Sequence, residues 1–509
     1  MARTMNKSTI NCDILVVGSG YSGSLTSLLL HQSGFNVCLI EKQTHPRFAI
    51  GESSTPIADM ILRTFADRYD LPWLNRFSRY GSWQHHYPNI PCGIKRGFSY
   101  FNLQKNRSFT TDEAHANELL VAASSNNRNS DTNWLRSGFD QHLVKKVKEY
   151  GIRYYDHTEV LAASQLDDGW LCRVSSAHDI QNIQCRFLVD ATGAGVASQQ
   201  LFGVNSSNEQ FQTQSRAIYG HFSGVMPWSE KLSKQNISIS DYPYNPDHSA
   251  NHLVLDEGWL WLLRFNNGIT SAGLVLDHNV DEKRSAEGLW EEMLADYPDI
   301  REIFQHTKLI NPSDGLQSTG RLQRRIDRAY GFRWAALPNS VGFIDPLHST
   351  GIAHSLAGIE KLVDVLNKHP LDSPALSKKL DYYQKSVHRE LDFIDLLVAG
   401  CYRSLPNFQL FTLWSMLYFT ATVWYEQQRL NGDVPSHFLC ANHPKISPFT
   451  KDFFDDLNSL LSNHGTQIPN AEIQRFKDAI KKAISPFNKA GLLNPEANNM
   501  YHHTAVNLT

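Results

Sequence analysis

The chain has 509 residues, of which 41% are hydrophobic and 19% are charged, and its formal net charge is −3. A chain of this length buries far more than one small core, so we expect two or three closely packed subdomains. The near-neutral charge and the lack of a dense lysine or arginine run argue against a nucleic-acid partner.

Cysteine usage and hydropathy indicate a cytoplasmic protein without a transmembrane segment. The seven cysteines are scattered, their odd number argues against a disulfide framework, and no Cys-x-x-Cys pair indicates a metal site. Residues 1–11 are polar, so we expect no secretory signal. The most apolar run, Phe408 to Tyr425, is interrupted by Gln409 and Ser415, and we predict a buried or amphipathic core helix there.

The first elements of the chain carry a dinucleotide-binding pattern. Cys12 to Val17 is a continuous apolar run, typical of a parallel strand covered on both faces. A glycine-rich loop and a helical pattern follow, and a second apolar run, Val37 to Ile40, ends in Glu41. Such a βαβ unit holds a pyrophosphate at the helix N-terminus and a ribose hydroxyl on the acidic residue. The loop glycines are Gly18, Gly20 and Gly23.

The segment after this unit favours FAD over NAD. Lys42 to Pro56 leads off the second strand, where a dehydrogenase would start its next helix, and it carries Arg47, Glu52 and Ser53. Such a loop can lie along a second nucleotide or a flavin ring. Further on, an apolar strand within Arg186 to Gly193 ends in Asp-Ala-Thr-Gly, as the strand under the adenosine half does in two-domain flavoproteins.

A turn in the stretch Gly342 to His354 is the expected centre of the site. An apolar, strand-like approach ends in Asp345 and Pro346, turns on Ser349-Thr350-Gly351 and opens a helical pattern. The N–H groups at the mouth of a helix suit an anion or an electron-rich ring edge. The same residues taken alone are also compatible with an ordinary loop.

These blocks, in this order and spacing, resemble the flavin-dependent halogenases, and they are most similar to the pyrrole and phenol branch of that family. The resemblance runs from about residue 12 to about residue 360, and the C-terminal third matches only as a generic helical region. It implies an α/β (α+β overall) fold, with a Rossmann-like FAD-binding domain of the aromatic-hydroxylase type, an inserted antiparallel sheet and a C-terminal helical region. The expected boundaries are 1–92, 130–205 and 325–372 for the FAD-binding domain, 93–129 and 206–324 for the substrate-side sheet, and 373–509 for helices capping the substrate cavity.

The resemblance gives a role to Lys95. From the residues alone, Pro91 to Phe101 is an ordinary strand whose lysine points to solvent. In the halogenase family, a lysine after the Gly-Glu-Ser segment is essential, and Lys95 matches that motif. Asp131 to Arg136 resembles the same branch, and we assign Arg136 either to FAD contact or to a surface salt bridge.

One block departs from the family pattern. Trp259 and Trp261 match the tryptophans of the family's Trp-x-Trp-x-Ile-Pro signature, but Leu263-Arg264 replaces the Ile-Pro pair. Alternating Trp and Leu is also typical of a half-buried strand, so this block is weaker support than the others.

The resemblance implies a defined chemistry, in which reduced FAD and O2 oxidise chloride or bromide to hypohalous acid. Ser349, Thr350 and Gly351 would bind the halide, and Lys95 would hydrogen-bond the oxidant or carry it as a haloamine at the far end of an enclosed passage. His348 stands where tryptophan halogenases have a glutamate, and it is either a base or a packing residue. The residues expected to bind FAD are Gly18, Gly20, Gly23, Glu41, Arg47, Gly51, Glu52, Ser53, Arg136, Asp345 and Pro346.

The expected partners are a separate flavin reductase and a small aromatic substrate of phenol or pyrrole type, free or bound to a carrier protein. A flavin monooxygenase that hydroxylates an aromatic ring is the alternative function, and a flavin-binding protein without turnover is a third. The polar segment Asn494 to Thr509 is expected to fray.

Overall fold

The computed structural model describes residues 9–176, 182–278 and 284–502. The strands are β1 (Thr9–Val17), β2 (Val37–Ile40), β3 (Cys92–Lys95), β4 (Gly97–Asn102), β5 (Glu118–Ala122), β6 (Asp131–Trp134), β7 (Arg153–Tyr155), β8 (Thr158–Leu166), β9 (Gly169–Ser176), β10 (Asn182–Asp190), β11 (Ser206–Ser207), β12 (Ser215–Ser223), β13 (Ala250–Leu255), β14 (Gly258–Arg264), β15 (Ile269–Asp277), β16 (Lys308–Asn311), β17 (Gln317–Ser318), β18 (Arg324–Ile326), β19 (Tyr330–Gly331), β20 (Trp334–Ala336), β21 (Gly342–Phe343) and β22 (Met500–Tyr501). The helices are α1 (Tyr21–Gln32), α2 (Pro56–Arg68), α3 (Pro72–Asn75), α4 (Tyr80–His86), α5 (Arg136–Glu149), α6 (Val196–Phe202), α7 (Trp228–Lys234), α8 (Ala286–Asp296), α9 (Pro298–Phe304), α10 (Pro338–Val341), α11 (Thr350–Lys368), α12 (Pro374–Ser404), α13 (Phe408–Leu430), α14 (Ile446–His464) and α15 (Asn470–Ile484).

The first sheet contains the dinucleotide-binding unit. Its strands run in the order β19-β20-β10-β1-β2-β7, and β9 and β8 extend it from β10. β1 is parallel to both β10 and β2, and Val17 lies opposite Asp190 and Ile40. The carboxyl ends of these three strands therefore meet at one edge, which is where open α/β sheets bind ligands. The Rossmann-like α/β architecture expected from the sequence is confirmed.

The glycine loop fixes how α1 leaves β1. Gly18 has a φ of +103°, which L side chains rarely adopt. A Cβ atom at Gly23 would lie 1.9 Å from the carbonyl oxygen of Gly18, so only glycine lets the helix pack this closely on the loop. Gly23 therefore acts in helix packing, as the third glycine of this fingerprint does.

The second sheet lies on the other side of the site. Its order is β16-β12-β15-β14-β13-β4-β5-β22, with β17 also pairing with β12. The pairs are antiparallel except β13 with β4 and β22 with β5. A separate antiparallel pair, β3 and β6, runs beside the segment after the dinucleotide unit, where the N–H of Ser54 donates to the carbonyl oxygen of Thr132.

The helical region from α12 onward packs against both sheets. α13 is buried along most of its length, which confirms the predicted core helix. Within the described ranges, the helices are too short or too polar to cross a bilayer. The expected fraying is wrong for Met500 and Tyr501, because both are buried and pair with β5; residues 503–509 lie outside the described part.

Candidate active site

A cavity of about 570 Å³ opens at the carboxyl edge of the first sheet and is closed on its far side by the second sheet. The predicted site residues that line it are Gly18, Gly20, Glu41, Arg47, Gly51, Glu52, Ser53, Arg136, Pro346, Ser349 and Gly351. The predicted residues that do not line it are Gly23, Lys95, Asp345, His348 and Thr350.

Glu41 is fixed at the end of β2. Its carboxylate accepts hydrogen bonds from the N–H of Ser19 at 2.9 Å and from its hydroxyl at 3.2 Å. A guanidinium nitrogen of Arg47 lies 3.7 Å from the same oxygen. The acidic group is thus oriented before any ligand binds, as the ribose contact of a dinucleotide site requires.

Arg136 shapes the cavity wall from the start of α5. It donates to both carboxylate oxygens of Asp140 and to the carbonyl oxygens of Ile50 and Gly51. Its guanidinium also lies over the ring of Tyr21, 4.5 Å from the centroid. Because this ion pair is buried, the surface salt bridge considered from the sequence is excluded, and Arg136 borders the cavity instead.

The residues around the glycine loop fit FAD. A Cβ atom at Gly20 would lie 3.5 Å from a guanidinium nitrogen of Arg136, 3.7 Å from a carboxylate oxygen of Asp140 and 3.8 Å from a guanidinium nitrogen of Arg47. Two cations and one anion therefore face the helix N-terminus. The Nε atom of Arg47 and the hydroxyl of Ser53 are buried without a hydrogen-bond partner among the described residues. Unpaired buried donors beside a helix N-terminus suit the pyrophosphate of a dinucleotide.

The expected halide site is the start of α11. Ser349 has a φ of +51° and its N–H donates to the carbonyl oxygen of Pro346 at 2.9 Å. That N–H is therefore already used. Thr350 and Gly351 occupy the first turn of α11, where N–H groups have no partner within the helix, and they are the better candidates for binding an anion.

Lys95 is buried beyond the cavity wall. Its side chain has no exposed surface, and Nζ donates to the carbonyl oxygen of Ser54 at 2.6 Å. The same Nζ lies 4.1 Å from the centroid of the Phe98 ring. Burial lowers the pKa of Lys95 to about 7, although Asp131 and Asp59 oppose this shift. The solvent-facing lysine inferred from the strand pattern alone is therefore wrong.

Aromatic rings separate Lys95 from the large cavity. His252 lines the cavity and stacks on Phe98, with ring centroids 6.2 Å apart, and Phe98 in turn contacts Lys95. Burial lowers the pKa of His252 to about 3, so its ring is neutral. The open passage expected between the turn at residue 350 and Lys95 is thus closed by side chains in this structure.

His348 and Asp345 lie behind the cavity. The His348 ring stacks on Tyr418 with centroids 4.1 Å apart, and Nε2 lies 3.4 Å from the sulfur of Cys401. Burial lowers the pKa of His348 to about 3. Asp345 accepts hydrogen bonds from Ser215 and Tyr402, and burial raises its pKa to about 6. Both residues therefore support the turn from beneath.

The structure also brings in residues that the sequence reasoning did not single out. Glu52, which lines the cavity, pairs with buried His221 at 2.8 Å. Asp59 and Asp131 approach Lys95 from α2 and β6. No local pattern marks these partners, because their proximity depends on how distant segments pair.

Comparison with known proteins places this site in a family. The profile of the FAD-dependent oxidoreductases matches residues 13–343. The monodechloroaminopyrrolnitrin halogenase PrnC of Pseudomonas fluorescens is 27% identical over 419 residues, which are 81% of this chain and 71% of that protein. The tetracycline 7-halogenase of Kitasatospora aureofaciens is 25% identical over 421 residues, 79% of this chain and 72% of that protein.

Solved structures show the same fold. The halogenase PltM in complex with phloroglucinol and FAD has a TM-score of 0.81 and 21% identity, covering 97% of this chain and 99% of that one. The likeness therefore extends through the C-terminal helices, which the sequence motifs did not reach. The chain belongs to the FAD-dependent oxidoreductase family, and the relatives it is similar to are flavin-dependent halogenases.

Proposed function

We propose that this chain is an FADH2- and O2-dependent halogenase of electron-rich aromatic compounds, of phenol or pyrrole type. The names of its relatives support this substrate class: one is a tetracycline halogenase, another acts on a pyrrole carried by a peptidyl-carrier protein, and PltM was crystallised with phloroglucinol. A separate reductase supplies the FADH2.

The observation that carries the proposal is the position of Lys95 relative to the FAD cavity. Gly51, Glu52 and Ser53 line the cavity, and the next residue, Ser54, accepts the hydrogen bond from Lys95. Residues 51–54 thus form one short segment: its first three residues line the FAD cavity, and its last residue accepts the hydrogen bond from Lys95. This arrangement places the amine one residue beyond the cavity wall, and an oxidant formed at the flavin reaches it only if the rings of His252 and Phe98 move aside.

Bound FADH2 and O2 would together supply the oxidising power that converts the halide to hypohalous acid, which is a two-electron oxidation. The first turn of α11 holds the halide through the N–H groups of Thr350 and Gly351, which need no neighbouring cation. Lys95, with a pKa of about 7, is present both as amine and as ammonium at neutral pH. It can therefore hydrogen-bond hypohalous acid or carry the halogen as a haloamine.

The substrate would lie on the far side of Lys95. A second cavity of about 20 Å³ is lined by Thr55, Pro56, Phe98, Tyr418 and Phe419, among others. This volume holds about one water molecule, so the site has to open to admit a ring.

The test is an assay with FAD, a flavin reductase, NADH, bromide and a panel of phenols and pyrroles. A halogenase gives a product whose mass spectrum shows the isotope doublet of bromine. A product that gains only one oxygen would instead support the hydroxylating monooxygenase. Oxidation of FADH2 without a modified product from any phenol or pyrrole would contradict the proposed activity.

A further inference from the structure

Lys95 faces a carboxylate across a two-stranded sheet. In the antiparallel pairing of β3 with β6, Lys95 lies directly opposite Asp131. The Lys95 side chain has no exposed surface, and Asp131 is 3% exposed. Two charged residues placed opposite each other in a dry interior interact strongly, because little water screens them.

A second carboxyl group joins Asp131 from α2. Asp59, also 3% exposed, lies in the first turn of α2, and its carboxyl group is within hydrogen-bonding reach of Asp131. Oδ1 of Asp59 and Oδ2 of Asp131 have no hydrogen-bond partner among the described residues. Two buried carboxylates this close cannot both be ionised, so they share one proton.

The position of that proton follows from the surroundings. Burial, and then the charge of Asp131, raises the pKa of Asp59 well above its usual range. Burial also raises the pKa of Asp131, but Lys95 and a hydrogen bond from Asp59 act in the opposite direction. Asp59 therefore holds its proton more tightly than Asp131, whose pKa is raised to about 7, so only from neutral pH upward is Asp131 the carboxylate that faces the amine.

Other charged or titratable groups face this cluster from the neighbouring elements. Arg63 of α2 attracts both carboxylates, and Arg79, just before α4, attracts Asp59. His252 of β13 acts on Lys95 but is neutral, and Tyr418 of α13 faces Asp131 with a raised pKa. Arginine side chains do not lose their proton in proteins, so the groups of the cluster that can exchange a proton near neutral pH are Lys95, Asp59 and Asp131.

We propose that Asp59 and Asp131 form a proton-sharing carboxyl pair that exchanges a proton with Lys95 and sets its protonation state during halogen transfer. The role of the pair in halogen transfer rests on the proposed function, whereas the existence of the carboxyl pair does not depend on that function. Asp59 and Asp131 are positioning residues, because they act through Lys95 and touch neither the cofactor cavity nor the halide site.

The proton transfer balances within the cluster. Lys95 and Asp131 face each other without a direct ion pair, so a proton passes from the ammonium to the carboxylate through an intervening water molecule, leaving a neutral amine and two neutral carboxyl groups. The amine lone pair then attacks the halogen of hypohalous acid, so the nitrogen–halogen bond forms and the halogen–oxygen bond breaks. The hydroxide that leaves takes the extra proton of the nitrogen, giving a haloamine and water. When the haloamine passes its halogen to the substrate, the nitrogen–halogen bond breaks, the halogenated ring carbon loses its proton to the nitrogen, and the neutral amine is restored. Asp131 then returns its proton and regenerates the ammonium.

Infrared spectroscopy of the FAD-loaded enzyme tests the pair without halogenation. Aspartate labelled with 13C at its carboxyl carbon identifies protonated aspartate by its C=O band, and at pH 6 ordinary aspartates with a pKa near 3.9 are ionised. We expect one such band to be lost in Asp59→Asn, while a band from Asp345 remains. In Lys95→Met, Asp131 loses its cation, and we expect a further protonated band at pH 7.

The pH profile of bromination tests the role of the pair. Removing the negative charge that faces Lys95 lowers the pKa of Lys95. The part of the bromination pH profile that follows the titration of Lys95 therefore moves to lower pH. The direction is the same whether the amine or the ammonium is the active form. The shift should be about one pH unit or more in Asp59→Asn/Asp131→Asn, smaller in Asp131→Asn, and small in Asp59→Asn. Asp299→Asn is the matched control, because Asp299 is also buried against a lysine, Lys231, at a distant site.

The two tests separate the inference from the proposed function. If the wild-type enzyme makes no halogenated product, the proposed function is wrong. The infrared bands still show whether Asp59 and Asp131 share a proton. An Asp59→Asn spectrum identical to that of the wild type at pH 6 would overturn the shared proton. A double variant that binds FAD but keeps the wild-type pH profile would overturn the role. The single asparagine variants preserve side-chain shape, so they keep both tests available should the double variant not fold.

Discussion

The Nζ atom of Lys95 and the carbonyl oxygen of Ser54 lie 2.6 Å apart, which ties the amine to the segment that walls the FAD cavity. Because this contact uses the backbone, the position of Lys95 depends on the path of the chain between Gly51 and Pro56 more than on any one neighbouring side chain.

Replacing Lys95 by methionine should separate flavin chemistry from halogen transfer. We expect bromination to fall by about 100-fold or more, since a positioned proton-transfer group contributes that much. Consumption of FADH2 should be unchanged, because Lys95 does not line the FAD cavity. Quantifying brominated product and FADH2 oxidation in the same reaction checks this. Lys145→Met, at an exposed lysine of α5, is the control, and product from Lys95→Met at the wild-type rate would remove the amine from the mechanism.

Gly23→Ala should lose FAD. The added Cβ would meet the carbonyl oxygen of Gly18 at 1.9 Å, and relieving the clash moves α1 away from the loop. Overpacking of this kind destabilises by about 1–3 kcal/mol. Flavin fluorescence and thermal unfolding measure both effects. Gly138→Ala in α5 is the matched control, because its Cβ would have only ordinary contacts, 3.6 Å or more away. Wild-type FAD affinity in Gly23→Ala would contradict the packing role.

His348→Asn should keep most of the bromination activity. Burial lowers the pKa of His348 to about 3, so the imidazole is neutral and a weak base across the working range. We expect a loss of less than about tenfold in kcat, below the 100-fold or more that a general base supplies. A loss of that larger size, with FAD binding intact, would assign the base role to His348.

Glu390→Gln should destabilise the helical region. The carboxylate of Glu390 has no exposed surface and bonds to Lys361, His354 and the N–H of Phe438. Removing one partner of a buried ion pair destabilises by about 3–5 kcal/mol. Urea unfolding at pH 7 measures the loss, with Glu149→Gln on the surface of α5 as the control.

The same residue gives a pH dependence of stability. Lys361 and His354 lower the pKa of Glu390 in the folded state, against the effect of its burial, to below its unfolded value. Its stabilisation is therefore complete above a pH of about 4.3 and is lost as the pH falls below that value. The free energy of unfolding of the wild type should fall more steeply with acid than that of Glu390→Gln, and parallel curves would contradict this assignment.

Local patterns predicted the elements around the cofactor well. The apolar run Val37 to Ile40 is β2 with the same bounds, and the helix expected after the glycine loop is α1. These elements follow from short-range rules, namely apolar runs, glycine turns and helical periodicity. For the same reason, the Rossmann-like unit and the wall residues from Gly51 to Ser53 could be placed from the sequence.

Long-range pairing could not be predicted in the same way. The interpretation of Lys95 from its strand pattern was reversed because β3 pairs with β6 and is covered by α2 and the aromatic rings of the second sheet. Asp131 lay within a segment whose resemblance to the family was noted, but its position opposite Lys95 depends on strand register. Such register is set by packing between distant segments rather than by local sequence.

The pairing of β22 with β5 has a consequence for how the helical region can open. The helices α12 to α15 continue from α11 at one end, and after α15 the chain returns to the second sheet at Met500 and Tyr501. A cover that is attached at both ends cannot swing outward on a single hinge. Opening a path between α13 and the strands beneath it therefore requires either a local separation of the two or release of the β22–β5 pairing.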